Sequence, residues 1–353
     1  MVQADSSIPL PILDGHQAAR PSWAKGPRSI ASLRLLRISV TDRCNLRCAY
    51  CMPDDGVAFE PRSALLEPAQ FERVARVARD LGVTHLKLTG GEPTVRRDLL
   101  EIVERLRPLG FADLSMTTNG LQLPRLAGPL RRAGVDRLTL SIDSLRPERY
   151  RAITGGGRLD QVRAGIEAAR TAGFERLKLN MVVIRGLNDD EVADFAELAR
   201  DEPWTIRFIE YMPLGESRVL ADAAGDELEP GLVSNDEVRR RVEDRIGPLE
   251  GLERSREAGV GPARVFTAPG LRGRIGFISA MSRPFCEDCN RLRLTATGTL
   301  RACLFEGGDV ELAPLLRSEA PDDVLRAAFE TCVRSKPEVH GARGAWAMSR
   351  MGG

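Results

Sequence analysis

Three cysteines near the start of the chain have the spacing of an iron–sulfur site. Cys44, Cys48 and Cys51 follow an apolar, strand-like run as C-x3-C-x2-C. A cuboidal 4Fe-4S cluster usually takes four thiolates, so a loop with three leaves one iron free to bind a small molecule. The alternatives are a zinc site or buried free thiols, but zinc usually requires a fourth protein ligand, and none lies nearby. The spacing therefore favours a 4Fe-4S cluster whose open iron does chemistry.

A second set of three cysteines lies late in the chain. Cys286 and Cys289 are followed by thirteen residues and then Cys303. A zinc ribbon with Cys332 or His340 as fourth ligand would also explain this pattern. The thiols alone do not decide between zinc and a second cluster.

The strand-like run after Cys289 favours an anion-binding site beside these thiols. Alternation along a strand places Arg291 and Arg293 on one face. Two neighbouring guanidiniums repel each other unless an anion lies between them, and the arginine fork suits phosphate oxygens. Two solvated surface arginines are the simpler explanation in an Arg-rich chain. The flanking cysteines favour a polyphosphate clamp.

Small and polar residues follow other predicted strands. Gly90 and Gly91, within the segment TGGEP, would let backbone groups approach a ligand closely because no side chain intervenes. Ser141 and Met212 end two further strands. Taken singly, they are as readily explained as a strand-terminal hydroxyl and a core methionine.

Composition limits the classes of protein that the chain can belong to. It has 353 residues, a net charge of +1, 42% hydrophobic residues and seven cysteines. The near-neutral charge gives no indication of a nucleic-acid or membrane surface, and no apolar run approaches the roughly 18 residues that cross a bilayer. No secretory signal is recognisable, and an odd number of clustered cysteines indicates metal rather than disulfides. We therefore expect a cytoplasmic enzyme with metal-bound cysteines.

Strand-like and helical patterns alternate from residue 35 onward. Strands are predicted at 35–40, 85–89, 114–117, 137–142, 177–184 and 205–209, and helices at 68–81, 98–106, 127–133, 161–172 and 191–200. This alternation predicts an α/β fold in which six βα units form an incomplete parallel barrel. We expect a flexible extension at 1–33, the barrel at 34–215, and a smaller α+β domain at 216–353. That domain would hold strands at 264–267, 275–279 and 291–295 and helices at 311–318 and 323–334.

Taken together, the motifs resemble the GTP 3′,8-cyclase family of radical S-adenosylmethionine (SAM) enzymes. The resemblance covers the chain from Arg34 onward and rests on residues 37–45, 50–53, 89–93, 96–98, 117–120, 207–210, 285–293 and 303–305. It also includes the terminal pair Gly352-Gly353, which in this family belongs to a mobile tail that enters the active site.

The resemblance implies a specific reaction. A 5′-deoxyadenosyl radical removes hydrogen from ribose carbon 3′ of GTP, and the product is (8S)-3′,8-cyclo-7,8-dihydroguanosine 5′-triphosphate. This is the first step of molybdenum cofactor biosynthesis. It requires two 4Fe-4S clusters, SAM and a reducing electron donor, with cyclic pyranopterin monophosphate synthase as the downstream enzyme. The resemblance is compatible with a homodimer.

The resemblance also assigns residues to roles. Each cluster would have three thiolate ligands: Cys44, Cys48 and Cys51 for the first, and Cys286, Cys289 and Cys303 for the second. SAM would contact Tyr50, Gly91, Ser141 and Met212. GTP would contact Arg37, Lys87, Thr117, Lys178, Arg207, Arg291, Leu292 and Arg293, and the catalytic set would be Arg291, Arg293, Gly352 and Gly353. The family often has Arg at the position of Lys87, and Lys lacks the bidentate fork.

Two other functions fit part of the pattern. Another radical SAM maturase with an auxiliary cluster would typically carry more cysteines late in the chain and would lack both the terminal diglycine and the Arg-x-Arg strand. A non-catalytic zinc or iron–sulfur scaffold would not require a GGEP segment. Metal analysis and SAM cleavage under reducing conditions would distinguish these possibilities.

Overall fold

A computed structural model describes residues 26–52, 58–215, 231–253, 259–341, 343–344 and 351. Most of the predicted extension at 1–33 and the terminal Gly352 and Gly353 lie outside these residues. Within the described ranges, no helix combines the length and apolar character that crossing a bilayer requires.

Six parallel strands form the centre of the fold, as the sequence predicts. They are β1 (Leu35–Ser39), β2 (His85–Thr89), β3 (Asp113–Thr118), β4 (Arg137–Ser141), β5 (Lys178–Val183) and β6 (Thr205–Glu210). The helices after them are α1 (Pro68–Asp80), which precedes β2, then α2 (Leu99–Leu106), α3 (Leu123–Ala133), α4 (Pro147–Thr154), α5 (Leu159–Thr171) and α6 (Val192–Asp201). The incomplete (βα)6 barrel is therefore confirmed.

The two faces of these strands differ in chemistry. Leu36, Leu86 and Leu140 belong to the main hydrophobic core, together with buried residues of the surrounding helices. Their neighbours along the strands, such as Arg37, Lys87 and Thr139, alternate onto the opposite face. The core thus lies between sheet and helices, while the inner face of the barrel is polar.

Strands from the C-terminal region extend this sheet at both sides. They are β7 (Glu250–Gly251), β8 (Arg264–Thr267), β9 (Arg274–Ile278), β10 (Arg291–Leu294), β11 (Thr299–Arg301) and β12 (Val310–Glu311). β9 pairs parallel with β6 and β10 pairs parallel with β1, so both regions contribute to a single 12-stranded sheet within the described residues. The pairing of β10 with β1 brings Arg293 beside Arg37.

A hydrogen bond joins the two sides of the curled sheet at the N-terminal end of the strands. The side-chain Nδ2 of Asn290, just before β10, donates to the carbonyl of Val260, just before β8, at 3.1 Å. The carbonyl of Asn290 also accepts from the amide of Leu35 at 3.1 Å. Asn290 therefore links β1 to the segment that leads into the opposite side of the sheet.

The helices of the C-terminal region, among the described residues, include α7 (Asn235–Ile246), α8 (Ala313–Arg317) and α9 (Asp322–Arg334). The sequence patterns did not predict α4 or α7. The predicted helix at 311–318 begins later than expected, because Val310 and Glu311 pair with β11 as β12.

Candidate active site

The first cysteine triplet lies in a loop that backbone hydrogen bonds hold in place. The amides of Arg47 and Ala49 donate to the carbonyls of Thr154 and Ile153 at the end of α4, at 2.9 and 2.8 Å. The amide of Cys51 donates to the carbonyl of Cys48 at 3.0 Å. All three thiols are partly exposed and form no disulfide.

The glycine pair of GGEP packs directly against this loop. A Cβ at Gly90 would lie 2.6 Å from the carbonyl oxygen of Thr41, and one at Gly91 would lie 2.4 Å from that of Arg43. The amide of Gly91 donates to the Thr41 carbonyl at 2.7 Å. The glycines are therefore required for two loops to meet, in addition to any contact with a ligand.

Glu92 fixes the other side of this junction. Its buried carboxylate accepts from the Thr118 hydroxyl at 2.7 Å and from the amide of Asn119 at 2.7 Å. The side chain of Asn119 in turn donates to that of Asn45 in the thiol loop, at 2.8 Å. Burial raises the pKa of Glu92, although these hydrogen bonds oppose the shift.

These loops enclose a cavity of about 110 Å³, the upper cavity. Its lining contains all three thiols and the glycine pair, together with Leu46, Tyr50, Thr89, Glu92, Thr117, Thr118, Asn119 and Ser141. Three residues predicted to contact SAM, namely Tyr50, Gly91 and Ser141, thus meet beside the triplet. Thr117, predicted to contact GTP, lines the same cavity.

Met212 lies elsewhere. It packs against a small apolar cluster of Leu214, Phe305 and Met351, which Cys303 also contacts. The preceding residue, Tyr211, belongs to another cluster, against which Cys48 and Cys51 pack. Because consecutive Cα atoms are about 3.8 Å apart, this turn after β6 brings the surroundings of both triplets close together.

A buried pair anchors Tyr50. Its hydroxyl donates to Oδ2 of Asp143 at 2.8 Å, and Oδ1 of Asp143 accepts from the amide of Val182 at 3.0 Å. Burial raises the pKa of Asp143 to about 6. Burial and the Asp143 carboxylate together raise the pKa of the Cys48 thiol well above its usual value.

The donor set of the first triplet fits an iron–sulfur cluster. Burial raises the pKa of Cys44 to about 11, so these thiols become thiolates only when a cationic centre replaces their protons. Among the described residues, no three His, Cys, Asp or Glu side chains converge closely enough to hold one metal ion. The thiolates of a cuboidal cluster each bind a different iron, and three thiols in one loop fit such a cluster.

Six cationic side chains predicted to bind GTP occupy neighbouring inner-face positions. The strand register places Arg37 between Lys87 and Arg293, and it places Asn180 beside Arg207. The full set is Arg37, Lys87, Lys178, Arg207, Arg291 and Arg293. The structure therefore brings together six cations from five different strands.

These cations influence one another strongly. Burial lowers the pKa of Arg37 well below its usual value, and Arg293, Arg291 and Arg207 lower it further. The pKa of Lys87 is lowered in the same way, first by burial and then by Arg207 and Arg37. Arg37 lies beside Lys87 on the neighbouring strand β1, whereas Arg207 acts from β6, which does not pair with β2. Like charges therefore lie close together, and an anionic ligand would bind favourably beside them.

A cavity of about 220 Å³, the lower cavity, lies beside the cations, toward the N-terminal ends of the strands. Lys87, Lys178, Arg207 and Thr139 line it together with Arg137, whose guanidinium pairs with Asp113 at 2.6 Å. The segment Gly259–Gly261 and Asn290 contribute to its opposite wall. The cavity is smaller than the roughly 300–1,000 Å³ that encloses a whole drug-sized ligand. It suits part of a nucleotide.

The second triplet has a different electrostatic setting. Cys286 and Cys289 flank a single helical turn, and the Nζ of buried Lys336 donates to the carbonyl of Cys289 at 2.8 Å. Burial would raise the pKa of Cys289, but Lys336 and Arg291 lower it below its usual value. Burial raises the pKa of Cys286, against a hydrogen bond from the amide of His340.

One predicted site residue, Leu292, points away from the others. The side chain of Leu292 is fully buried in the main core, on the face opposite Arg291 and Arg293, so only its backbone faces a ligand. The terminal Gly352 and Gly353 lie outside the described residues, but Met351 just before them is buried against Leu214 and Phe305. Cys332 is a buried thiol, and burial raises its pKa to about 12.

Sequence reasoning missed several residues that shape the site. Glu92 belongs to the GGEP motif, in which only the glycines were predicted to approach a ligand. Asp143 lies two residues beyond Ser141, the last residue of β4. A polar residue at that end of a barrel strand could have indicated a site residue. Lys336 is one of only four lysines in the chain, and this scarcity could have marked it.

Comparisons with known proteins agree with this architecture. Residues 38–199 match the model of the Radical SAM superfamily, and residues 204–342 match that of Molybdenum Cofactor Synthesis C. The solved structure of Streptococcus suis SuiB bound to S-adenosylmethionine superposes with a TM-score of 0.55 over 88% of this chain and 71% of that one, at 15% identity. At that identity the likeness shows the fold alone.

Curated relatives are much more similar in sequence. GTP 3′,8-cyclase from Heliobacterium modesticaldum is 45% identical, with 87% of this chain and 92% of the relative aligned. The enzymes of the same name from Moorella thermoacetica and Ectopseudomonas mendocina are 44% and 46% identical, covering 91% and 86% of this chain and 98% and 89% of those relatives. The chain therefore belongs to the GTP 3′,8-cyclase family of radical SAM enzymes.

Proposed function

We propose that this chain converts GTP into (8S)-3′,8-cyclo-7,8-dihydroguanosine 5′-triphosphate, the first step of molybdenum cofactor biosynthesis. The observation that carries this proposal is the cationic inner face: β1 and β2, which end at the thiol loop and the glycine pair, present Arg37 and Lys87, and β5 and β6 present Lys178 and Arg207. A triphosphate is the kind of anion that would relieve their mutual repulsion.

The first triplet would hold a 4Fe-4S cluster, and Tyr50, Gly91 and Ser141 would border SAM at its open iron. When bound, this pair supplies the radical that removes hydrogen from ribose carbon 3′, so that this carbon can bond to guanine carbon 8. The Tyr50–Asp143 and Glu92–Asn119 hydrogen bonds fix the two walls of the cavity. Their role is to hold the reacting groups in one geometry and to exclude water.

The cations on the inner face would bind the triphosphate and so fix the position of the ribose. Lys87, Lys178 and Arg207 line the lower cavity, while Arg37, Arg291 and Arg293 lie on the neighbouring strands β1 and β10. Thr117 would contact the nucleotide from the upper cavity, and Leu292 could contribute only its backbone.

Cys286, Cys289 and Cys303 would hold a second 4Fe-4S cluster whose open iron faces the guanine. Arg291 and Arg293 lie directly after Cys289, and the turn at Tyr211 and Met212 connects the surroundings of both triplets. Met212 would reach SAM from this turn. The anchored position of Met351 supports a tail that places Gly352 and Gly353 at the active site, where they would act with the two arginines.

The remaining proposals concern the setting of the enzyme. We place the barrel at 34–215 and the second-cluster region at 216–353. A reducing electron donor would complete the dihydro product with an electron and a proton. Cyclic pyranopterin monophosphate synthase would take the product, in the cytoplasm, and a homodimer is compatible with this scheme.

The test is anaerobic incubation of the reconstituted, reduced protein with GTP and SAM. We expect 5′-deoxyadenosine and a cyclised guanine nucleotide to form in equal amounts. The matched variant Arg291→Ala should keep the iron content while GTP affinity falls. Formation of 5′-deoxyadenosine without any cyclised nucleotide, under conditions where GTP is bound, would contradict the proposed function.

A further inference from the structure

One buried hydroxyl connects two of the inner-face cations. Thr139, on β4, is only 2% exposed. Its Oγ1 accepts a hydrogen bond from the Nζ of Lys87 at 3.1 Å and another from Nη2 of Arg207 at 3.3 Å. Lys87 belongs to β2 and Arg207 to β6, so this oxygen bridges two strands that do not pair with each other.

The hydrogen-bond capacity of a threonine hydroxyl determines which of its donor and acceptor positions are still available. A hydroxyl accepts through two lone pairs and donates one O–H. Both lone pairs of Thr139 are taken by cationic donors, and no acceptor among the described residues receives its hydrogen. Thr139 lines the lower cavity together with Lys87, Lys178 and Arg207, so an anion that contacts these cations comes within reach of the hydroxyl.

We propose that Thr139 is a phosphate-positioning residue that sets the spacing of Lys87 and Arg207 and donates its own hydroxyl hydrogen to a phosphate oxygen of the substrate. This inference deepens the proposed function and rests on it for the identity of the nucleotide. The predicted site residues did not include Thr139, because a threonine in the middle of a strand has the same pattern as any strand residue.

Ser115 provides a matched control in the same cavity. It lies on β3, lines the cavity and also carries a hydroxyl, but that hydroxyl donates to the carbonyl of Leu86 at 3.2 Å. Its hydrogen is therefore already committed to the backbone. The two hydroxyls should therefore differ in their effect: removal of the Thr139 hydroxyl should weaken phosphate binding, and removal of the Ser115 hydroxyl should not.

The experiment uses the full chain with its clusters reconstituted and compares Thr139→Val, Thr139→Ser and Ser115→Ala. Affinity for GTP, for guanosine and for inorganic triphosphate is measured by equilibrium dialysis, and KM and kcat are measured separately. Iron content and circular dichroism establish that each variant folds, and Thr139→Ala replaces the valine variant should that one not fold.

We expect Thr139→Val to weaken GTP and inorganic triphosphate by about tenfold or more, because hydrogen bonds to charged groups are involved. KM for GTP should rise while kcat changes much less, guanosine affinity should stay the same, and Thr139→Ser and Ser115→Ala should behave like the wild type. Unchanged triphosphate affinity in Thr139→Val, or an equal loss for guanosine, would overturn the inference.

These outcomes are distinct from failure of the proposed function. A wild-type protein that makes no cyclised nucleotide, yet binds inorganic triphosphate through Thr139, would refute the reaction and keep the anion site. A protein that cyclises GTP with the same KM in Thr139→Val would refute the role of Thr139 alone.

Discussion

The two cysteine triplets share a number of thiols but differ in the charge around them. At the first, burial raises the pKa values of Cys44 and Cys48, and neighbouring carboxyl groups and thiols add to the rise, although Arg47 opposes it at Cys44. Near the second, Lys336, Arg291 and Arg293 lower the pKa of Cys289. Protein charge and burial help to set the potential of an iron–sulfur cluster. On the proposal that both triplets hold clusters, this comparison predicts a lower potential for the first cluster than for the second.

The largest expected effect comes from removing one ligand of each triplet. Cys48→Ser should abolish reductive cleavage of SAM, since the open iron is lost with the cluster. Cys289→Ser should leave SAM cleavage measurable but eliminate the cyclised nucleotide. Iron analysis should find about half of the wild-type iron in each variant. Equal loss of SAM cleavage in both variants would contradict the assignment of different roles to the two triplets.

Lys87→Met should weaken GTP binding but raise the thermal stability of the GTP-free protein. It removes one of several repelling cations, so GTP affinity should fall by about tenfold or more. The GTP-free protein should become more thermostable by a few degrees, since about 1 kcal/mol corresponds to roughly 2–4 °C in larger domains. The control is Lys87→Arg, which keeps the charge. A lower Tm in Lys87→Met, at a fixed scan rate, would argue against stored repulsion.

The difference in potential between the two centres should depend on Lys336. Lys336→Met removes a buried positive charge next to Cys289 and should lower the potential of the second cluster by an amount on the order of tens of millivolts. Lys336→Arg should keep it near the wild-type value, and the first cluster should not change in either variant. Redox titration followed by electron paramagnetic resonance measures both centres, and a shift confined to the first would reverse the comparison.

The smallest expected effect is a change in protonation when GTP binds. The pKa of Lys87 is lowered in the GTP-free protein, so its amine loses the proton at a lower pH than an ordinary lysine does. A bound triphosphate favours the charged form and raises that pKa, so binding should take up protons in mildly alkaline buffer. Calorimetry in two buffers of different ionisation enthalpy measures this uptake. It should diminish in Lys87→Met, and an uptake that persists there belongs to another group.

Local patterns predicted the barrel, whereas most of the inner-face residues were predicted from the family resemblance. Runs such as Leu35–Ser39 and Lys178–Val183 are recognisable because a buried parallel strand needs apolar residues on its core-facing side. The pairing of β9 with β6 and of β10 with β1 was not predictable, because it joins segments far apart in sequence. The helix α7 was missed because its many charged residues hide a short buried stripe of Val238, Val242 and Ile246.

The same limit applied to the site. The thiols, GGEP and Arg291 were visible because their residue types are unusual at those spacings. The shared contact of Thr139 with Lys87 and Arg207 and the approach of Lys336 to Cys289 depend on tertiary packing, which no spacing in the chain encodes.

The opposite character of the two strand faces has a consequence for how such an enzyme can change over time. Leu36, Leu86 and Leu140 maintain the fold from one side, while the residues between them handle the ligand from the other. A substitution that alters which molecule is accepted therefore need not disturb the packing that keeps the chain folded. The scaffold can acquire new specificities by replacing the lining of its barrel one residue at a time.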